Sequence, residues 1–258
     1  MADETLTYPT EASREMIEAG VFYGRKKSKT NPKMRQFIIA NRGGIEIIDL
    51  QKTADALEVA LGFIKEKVRQ NALVLLVGTE PAAEASVRRL AEKFGMPYVT
   101  FRWVGGAITN FKIIAKRVEY MKKLRDDFAS GELTKYTKKE RLELEREMNR
   151  LQELMGGLEN LTKEPDLVIM ADPTFHHTAL REARRKNIPI VALSNVDADP
   201  DAVDYLVPGN DKAKKSIDWF FEKVEHAIEE GIAMRVVAPT APLAPGTAPV
   251  APTATPKQ

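Results

Sequence analysis

Residues 166–172 read DLVIMAD, and residues 188–194 read IPIVALS. A strand with one face in water alternates apolar and polar side chains, and these two runs do not. Continuous apolar runs bounded by turn residues belong to a parallel sheet covered on both faces. The pattern recurs at LVLLVG (73–78), YVTF (98–101) and DYLVPG (204–209). Helical patterns lie between most of these runs. Residues 81–94 open with Pro81 in a first turn and stop before Gly95, while 174–186 follow Asp172-Pro173 and stop before Asn187. This rhythm predicts an α/β fold, a doubly wound parallel sheet with helices on both faces.

Working outward, QFIIA (36–40) and IEIIDL (45–50) flank Asn41-Arg42-Gly43-Gly44, which predicts an N-terminal β-hairpin. Residues 108–160 hold no strand candidate. Ile114, Val118, Met121, Leu124 and Phe128 recur at helical spacing, as do Leu144, Met148, Leu151 and Met155, with Ser130-Gly131 between the two stripes. Matching stripes joined by a short turn predict an inserted antiparallel coiled-coil hairpin. The expected division is therefore 1–107 with 161–232 as the α/β domain, 108–160 as the insertion, and 233–258 as a tail. From Ala238 the tail reads APTAPLAPGTAPVAPTATPKQ, a composition expected to stay disordered.

With 43% hydrophobic and 29% charged residues, the chain has the composition of a soluble globular protein. No apolar run approaches the roughly 18–20 residues of a bilayer span, so no membrane partner is expected. MADETLTYPTEASREM, polar and acidic, reads as neither a signal nor a transit peptide. The absence of cysteine excludes disulfides, thiolate catalysis and cysteine metal sites, and suits a reducing cytosol.

A doubly wound sheet binds ligands beyond the carboxyl ends of its strands. Here the first such loop is VGTEPAAEAS, with one glycine, an acid and a proline where a phosphate turn needs successive glycines. His176 and His177 invite a metal or general-base reading, but adjacent residues on a helix point roughly 100° apart. Asp172 as a helix cap beside two partly exposed imidazoles is the simpler reading. His226 stands alone. Asp197, Asp199, Asp201 and Asp204 have the chemistry of a cation site and equally that of turns and caps. No Ser lies in a G-x-S-x-G setting.

The charge distribution is more informative. The whole chain balances 39 Lys and Arg against 37 Asp and Glu, yet residues 21–42 contain Arg25, Lys26, Lys27, Lys29, Lys33, Arg35 and Arg42 and no acid. Such a cluster binds phosphates by neutralising charge and releasing counterions, and Phe22 and Tyr23 offer ring faces to bases. FRWVGGAITNFK (101–112) is a second basic element, where Arg102 and Trp103 adjoin Gly105-Gly106. The RNA-binding candidates are Arg25, Lys26, Lys27, Lys29, Lys33 and Arg35, then Arg102, Trp103 and Lys112. An enzyme acting on a sugar phosphate or nucleotide would need the glycine-rich loop this chain lacks. A coiled-coil adaptor would have no use for the acid-free cluster.

From about residue 10 to 232 the chain resembles the bacterial family of small-ribosomal-subunit protein two. The match is carried by EAGVFYGRKKSKTNPKM, IEIIDLQKT, FRWVGGAITNFK, PDLVIMADPTFHHTALREARRKNIPIVALSN and DADPDAVDYLVPGND, in that order. The resemblance implies a cytoplasmic, non-catalytic rRNA-binding protein without cofactor and not a homo-oligomer. It implies a covered parallel sheet with a protruding coiled coil, placed between head and body of the subunit. It also implies that the chain helps hold the large messenger-binding ribosomal protein one. Family members carry histidines where this chain has Phe22 and Arg25, and some carry carboxylates in place of Asn195 and Lys212. The departures imply that any metal held there in relatives is not held here.

Overall fold

The computed structural model describes residues 11–235. Of the tail expected to be disordered, residues 236–258 lie outside the described residues. Five parallel strands form the central sheet: β4 (Val74–Val77), β5 (Tyr98–Val99), β6 (Leu167–Ala171), β7 (Ile190–Ser194) and β8 (Tyr205–Pro208). Their order is β5-β4-β6-β7-β8. β4 and β6 pair in register from Val74 opposite Leu167 to Val77 opposite Met170.

The unbroken apolar runs exist because both faces are covered. Leu76, Leu167, Ile169, Val191 and Leu193 point into one core, shared with α2 (Leu50–Arg69), α3 (Pro81–Phe94) and α7 (Lys214–Ala233). Leu75, Val77, Val168, Met170 and Ile190 point into the other. That second core holds Ile114, Val118 and Met121 of α4 (Phe111–Ser130), Met155 of α5 (Lys138–Met155), and Ala179 and Ala183 of α6 (His177–Arg185). Fully buried Phe220 and Phe221 of α7 contribute about 1.5–3 kcal/mol each by burial. Helices α2 and α7 approach closely at Gly231, where a Cβ would stand 2.7 Å from Lys65 O.

Helix ends follow local chemistry. Asp49 caps α2 by accepting from Gln51 N at 3.0 Å. α3 begins at Pro81 and ends at Gly95, whose φ of 65° is left-handed. Thr137 and Glu140 form a reciprocal capping box at the start of α5. Gly131 (φ 77°) caps α4 and turns the chain toward α5. The α4–α5 pair is rooted in the second core, so its base is part of the sheet's cover.

The predicted hairpin is present as β2 (Ile38–Arg42) and β3 (Ile45–Ile48), turned by Gly43 and Gly44 at φ 59° and 83°. It belongs to a three-stranded antiparallel sheet, because β1 (Tyr23–Lys26) pairs with the other edge of β3. A strand inside the basic stretch is not expected from its sequence, since YGRK carries no apolar alternation. Gly24 makes it possible: a Cβ there would lie 2.7 Å from Glu46 O. A short helix, α1 (Glu11–Glu18), precedes β1.

Candidate nucleic-acid interface

The basic segment is held on the body by a few uncharged groups. After β1 the chain makes two short 3-10 turns, Lys27–Lys29 and Pro32–Phe37. Asn31 N–H donates to Val196 O at 2.8 Å, and the Asn31 side chain accepts from Lys33 N at 3.0 Å. Lys27 N–H donates to Gly44 O at 3.0 Å. Met34 is fully buried against Ile48 and Val196. With those anchors inside, Lys26, Lys27, Lys29 and Arg35 are exposed, and among the described residues none of them has an ion-pair partner.

Two members of the cluster are engaged internally. Lys33 Nζ pairs with Asp199 Oδ1 at 3.1 Å and Asp201 Oδ2 at 2.5 Å, all exposed. Arg25 turns toward the carboxyl ends of the strands. Its Nε stands 3.3 Å from Asp197 Oδ2, and one terminal nitrogen lies 3.3 Å from Asp211 Oδ1 and 4.0 Å from Asp172 Oδ2. Lys212 Nζ reaches Asp172 Oδ2 at 2.5 Å and also pairs with Glu80.

Burial dominates this group of charges. Asp211, 1% exposed, is pushed up to about 7 by burial and by Asp172, against the pull of Arg25. Asp172 is raised for the same first reason. Burial and the neighbouring Arg25 push Lys212 down to about 8. Two cations thus fill the space among four carboxylates that loops after β4, β6, β7 and β8 bring together. The positions where relatives were expected to carry other residues, Arg25, Asn195 and Lys212, meet here. Asn195 Nδ2 donates to Tyr23 O and Asp211 Oδ1, each at 3.4 Å. Phe22 is half-buried and packs against the first core.

The histidine reading needs correction. His176 is buried, not partly exposed; its Nδ1 lies 2.9 Å from Asp172 O, and its Nε2 accepts from Thr79 N–H at 3.1 Å. An Nε2 that accepts requires the proton on Nδ1, and burial lowers the pKa, so the ring is a neutral strut. His177 is exposed on the outer side of α6. Asp172 does accept from a backbone donor, Phe175 N–H at 2.8 Å, from a left-handed φ of 53°, but α6 itself starts later, with His176 as its first flanking residue.

The four aspartates after β7 divide into separate tasks. Asp197 faces Arg25, Asp199 and Asp201 face Lys33, and Asp204 accepts from Ile190 N at 2.9 Å. Among the described residues no group of three His, Asp or Glu is arranged to hold a metal ion. The loop after β4 is likewise structural. A Cβ on Gly78 would lie 2.8 Å from Val87 Cγ2, so that glycine serves helix packing.

Glu182 is the residue that sequence reasoning missed. Its Oε1 accepts from Trp103 Nε1 (3.0 Å) and Gly106 N (2.8 Å), and its Oε2 from Ile108 N, Thr109 N and Thr109 Oγ1 (3.1 Å each). Burial pushes this carboxyl up, but the donors together outweigh it and hold it below the ordinary range. Gly105-Gly106 therefore wraps an internal carboxylate, with Gly106 at φ 89°. Trp103 is half-buried by the same bond, whereas Arg102 and Lys112 are exposed. Because Glu182 is consumed inside, α6 shows water Arg181, Arg184 and Arg185, with no ion pair to them among the described residues. The signal was present in LREARRKN, where the one acid falls on the buried face.

No helix among the described residues is long and apolar enough to cross a membrane. The sequence pattern of the family described as Ribosomal protein S2 matches residues 16–231. The small ribosomal subunit protein uS2 of Thermus thermophilus is 46% identical over 210 residues, 81% of this chain and 82% of the relative. The uS2 protein of Corynebacterium diphtheriae is 44% identical over 219 residues, covering 84% and 82%. That of Thermobifida fusca is 41% identical over 226 residues, covering 86% and 76%. A match of this extent decides against the sugar-phosphate enzyme as an account of the loops at the carboxyl ends of the strands: the chain belongs to the Ribosomal protein S2 family.

Proposed function

We propose that the protein is a structural constituent of the small ribosomal subunit, acting in the cytoplasm without catalysis, and that it binds rRNA by phosphate neutralisation. The observation that supports this most is the set of unpaired cations, Lys26, Lys27, Lys29 and Arg35, on a backbone clamped by Met34 and Asn31. Preplaced cations contact phosphates at low ordering cost, and they set register more than sequence preference. Arg25 is assigned the anchoring of β1, with any phosphate contact secondary, and Lys33 exchanges its two exposed aspartates for phosphate. Arg102 and Lys112 extend the surface, and Trp103 supports the loop that carries Arg102. Residues 108–160 act as an inserted unit whose outer part offers reach toward neighbouring subunit components. Docking of ribosomal protein one belongs to this reading as well, on the N-terminal face around β1.

The test is the salt dependence of binding to small-subunit rRNA. Lys26→Ala, Lys27→Ala and Lys29→Ala together should lower the slope of log K against log salt by about 2 to 3, near 0.9 per lost duplex phosphate contact. An unchanged slope removes this segment from the interface.

A further inference from the structure

Beyond the basic segment, the sheet carries a cleft that phosphate neutralisation does not use. The connection leaving β4 runs to β5 on one side and the connection leaving β6 runs to β7 on the other, so the crevice where ligands of doubly wound sheets sit lies at the carboxyl ends of β4 and β6, with β5 alongside. At these three carboxyl ends is a cavity of about 410 Å³ lined by Thr79, Phe101, Arg102, Trp103, Phe175 and His176. That size falls within the roughly 300–1,000 Å³ of small-ligand clefts.

The lining decides what it would hold. Several backbone donors at or beside this cavity are already taken. Gly106, Ile108 and Thr109 N–H donate to Glu182, Thr79 N–H to His176, and Phe175 N–H to Asp172. The cavity also presents ring surface. Phe101 and Phe175 are 59% and 57% exposed, unusual for phenylalanine on a concave surface. Phe175 is braced by an edge contact with His176 (centroids 5.2 Å apart) and by Lys212 Nζ, 5.4 Å from its centroid. No carboxylate lines the cavity, and Arg102 at its edge has no ion pair among the described residues. Braced ring faces beside an unpaired guanidinium suit a flat heteroaromatic ring attached to a negative backbone.

We propose that this cleft receives an unpaired RNA base, stacked on Phe101 and Phe175, with Arg102 on the adjoining phosphate. The proposal rests on the rRNA-binding reading above. Each stacked base adds affinity that does not depend on salt, whereas Arg102 adds one counterion to the slope.

The experiment compares the full chain with Phe101→Ala/Phe175→Ala and with Phe101→Tyr/Phe175→Tyr. Its probes are a full-length small-subunit rRNA transcript, a single-stranded A10 RNA and a ten-pair RNA duplex, each over a salt series. The alanine variant should lose roughly ten- to hundredfold affinity for the transcript and for A10. Its salt slope and duplex affinity should stay at the wild-type level, and the tyrosine variant should bind like wild type. Both rings are exposed, so the fold should persist; if the pair does not fold, the two single alanine variants carry the same comparison. Wild-type affinity in the alanine variant overturns the proposal and leaves the cleft to a protein side chain. A loss that the tyrosine variant shares, or one accompanied by a lower slope, overturns it too. Failure of the wild-type chain to bind the transcript is a different result: it rejects the rRNA reading, while A10 still reports on the cleft.

Discussion

Substituting Arg25 by Met should destabilise the protein in a pH-dependent way. The guanidinium is 25% exposed, and the carboxylates it faces are 1% (Asp211), 3% (Asp172) and 18% (Asp197) exposed. Removing one partner from a fully buried charge set costs about 3–5 kcal/mol, because the opposing charge is left uncompensated. Water reaches a quarter of Arg25, so about 2–3 kcal/mol is expected near pH 8. The sign follows from Asp211. Its pKa is raised from the ordinary 3.8 to about 7, so the folded state favours the protonated acid, and stability present at low pH is lost as pH rises toward 7. Arg25 limits that loss by pulling the pKa down; without it, the loss continues to higher pH. At pH 5.5 Asp211 is protonated in both proteins, and the deficit of the variant should shrink by at least about 1 kcal/mol, at 1.36 kcal/mol per pH unit. Urea unfolding of the full chain at pH 5.5 and 8.0 reads this directly. Adding Asp211→Asn to the variant should restore part of the stability at pH 8, the non-additivity expected of contacting groups. A deficit equal at both pH values, or below about 0.5 kcal/mol at pH 8, would refute the charge argument.

Glu182→Ala should be among the more damaging single substitutions, costing several kcal/mol, since it leaves Trp103 Nε1 and three backbone N–H groups without an acceptor; thermal unfolding measures it, and the depressed pKa predicts that the stability of the unsubstituted chain declines as pH falls below the ordinary carboxylate range. Removing residues 238–258 should leave incorporation into the small subunit unchanged, because that stretch has one cation, Lys257, and little to bury; fractionation of cells expressing the truncated chain checks it.

The sheet was legible because burial on both faces leaves runs such as DLVIMAD with no polar alternation, and Pro81 and Gly95 bound a helix whose ends the structure matches. β1 was not legible. Its strand character comes from pairing with β3 and from the space Gly24 leaves beside Glu46, neither of which is local. The candidate site was legible as a charge excess and illegible as a division of labour. Nothing in GRKKSKTNPKM separates Arg25, which faces buried aspartates some 150 to 190 positions away in sequence, from Lys26 and Lys27 beside it. The same holds for Glu182, whose five donors come from a loop that begins about 80 residues earlier.

Exposed Lys26, Lys27 and Lys29 are expected to join this chain to the small ribosomal subunit. Sucrose-gradient fractionation of lysates tests it most directly, with wild-type and triple-alanine chains followed in parallel. The wild type should sediment with the small subunit, and the triple variant should shift toward the free-protein fractions, more so as salt is raised. A wild-type chain found only at the top of the gradient, or a triple variant with an unchanged share at every salt concentration, would contradict the account.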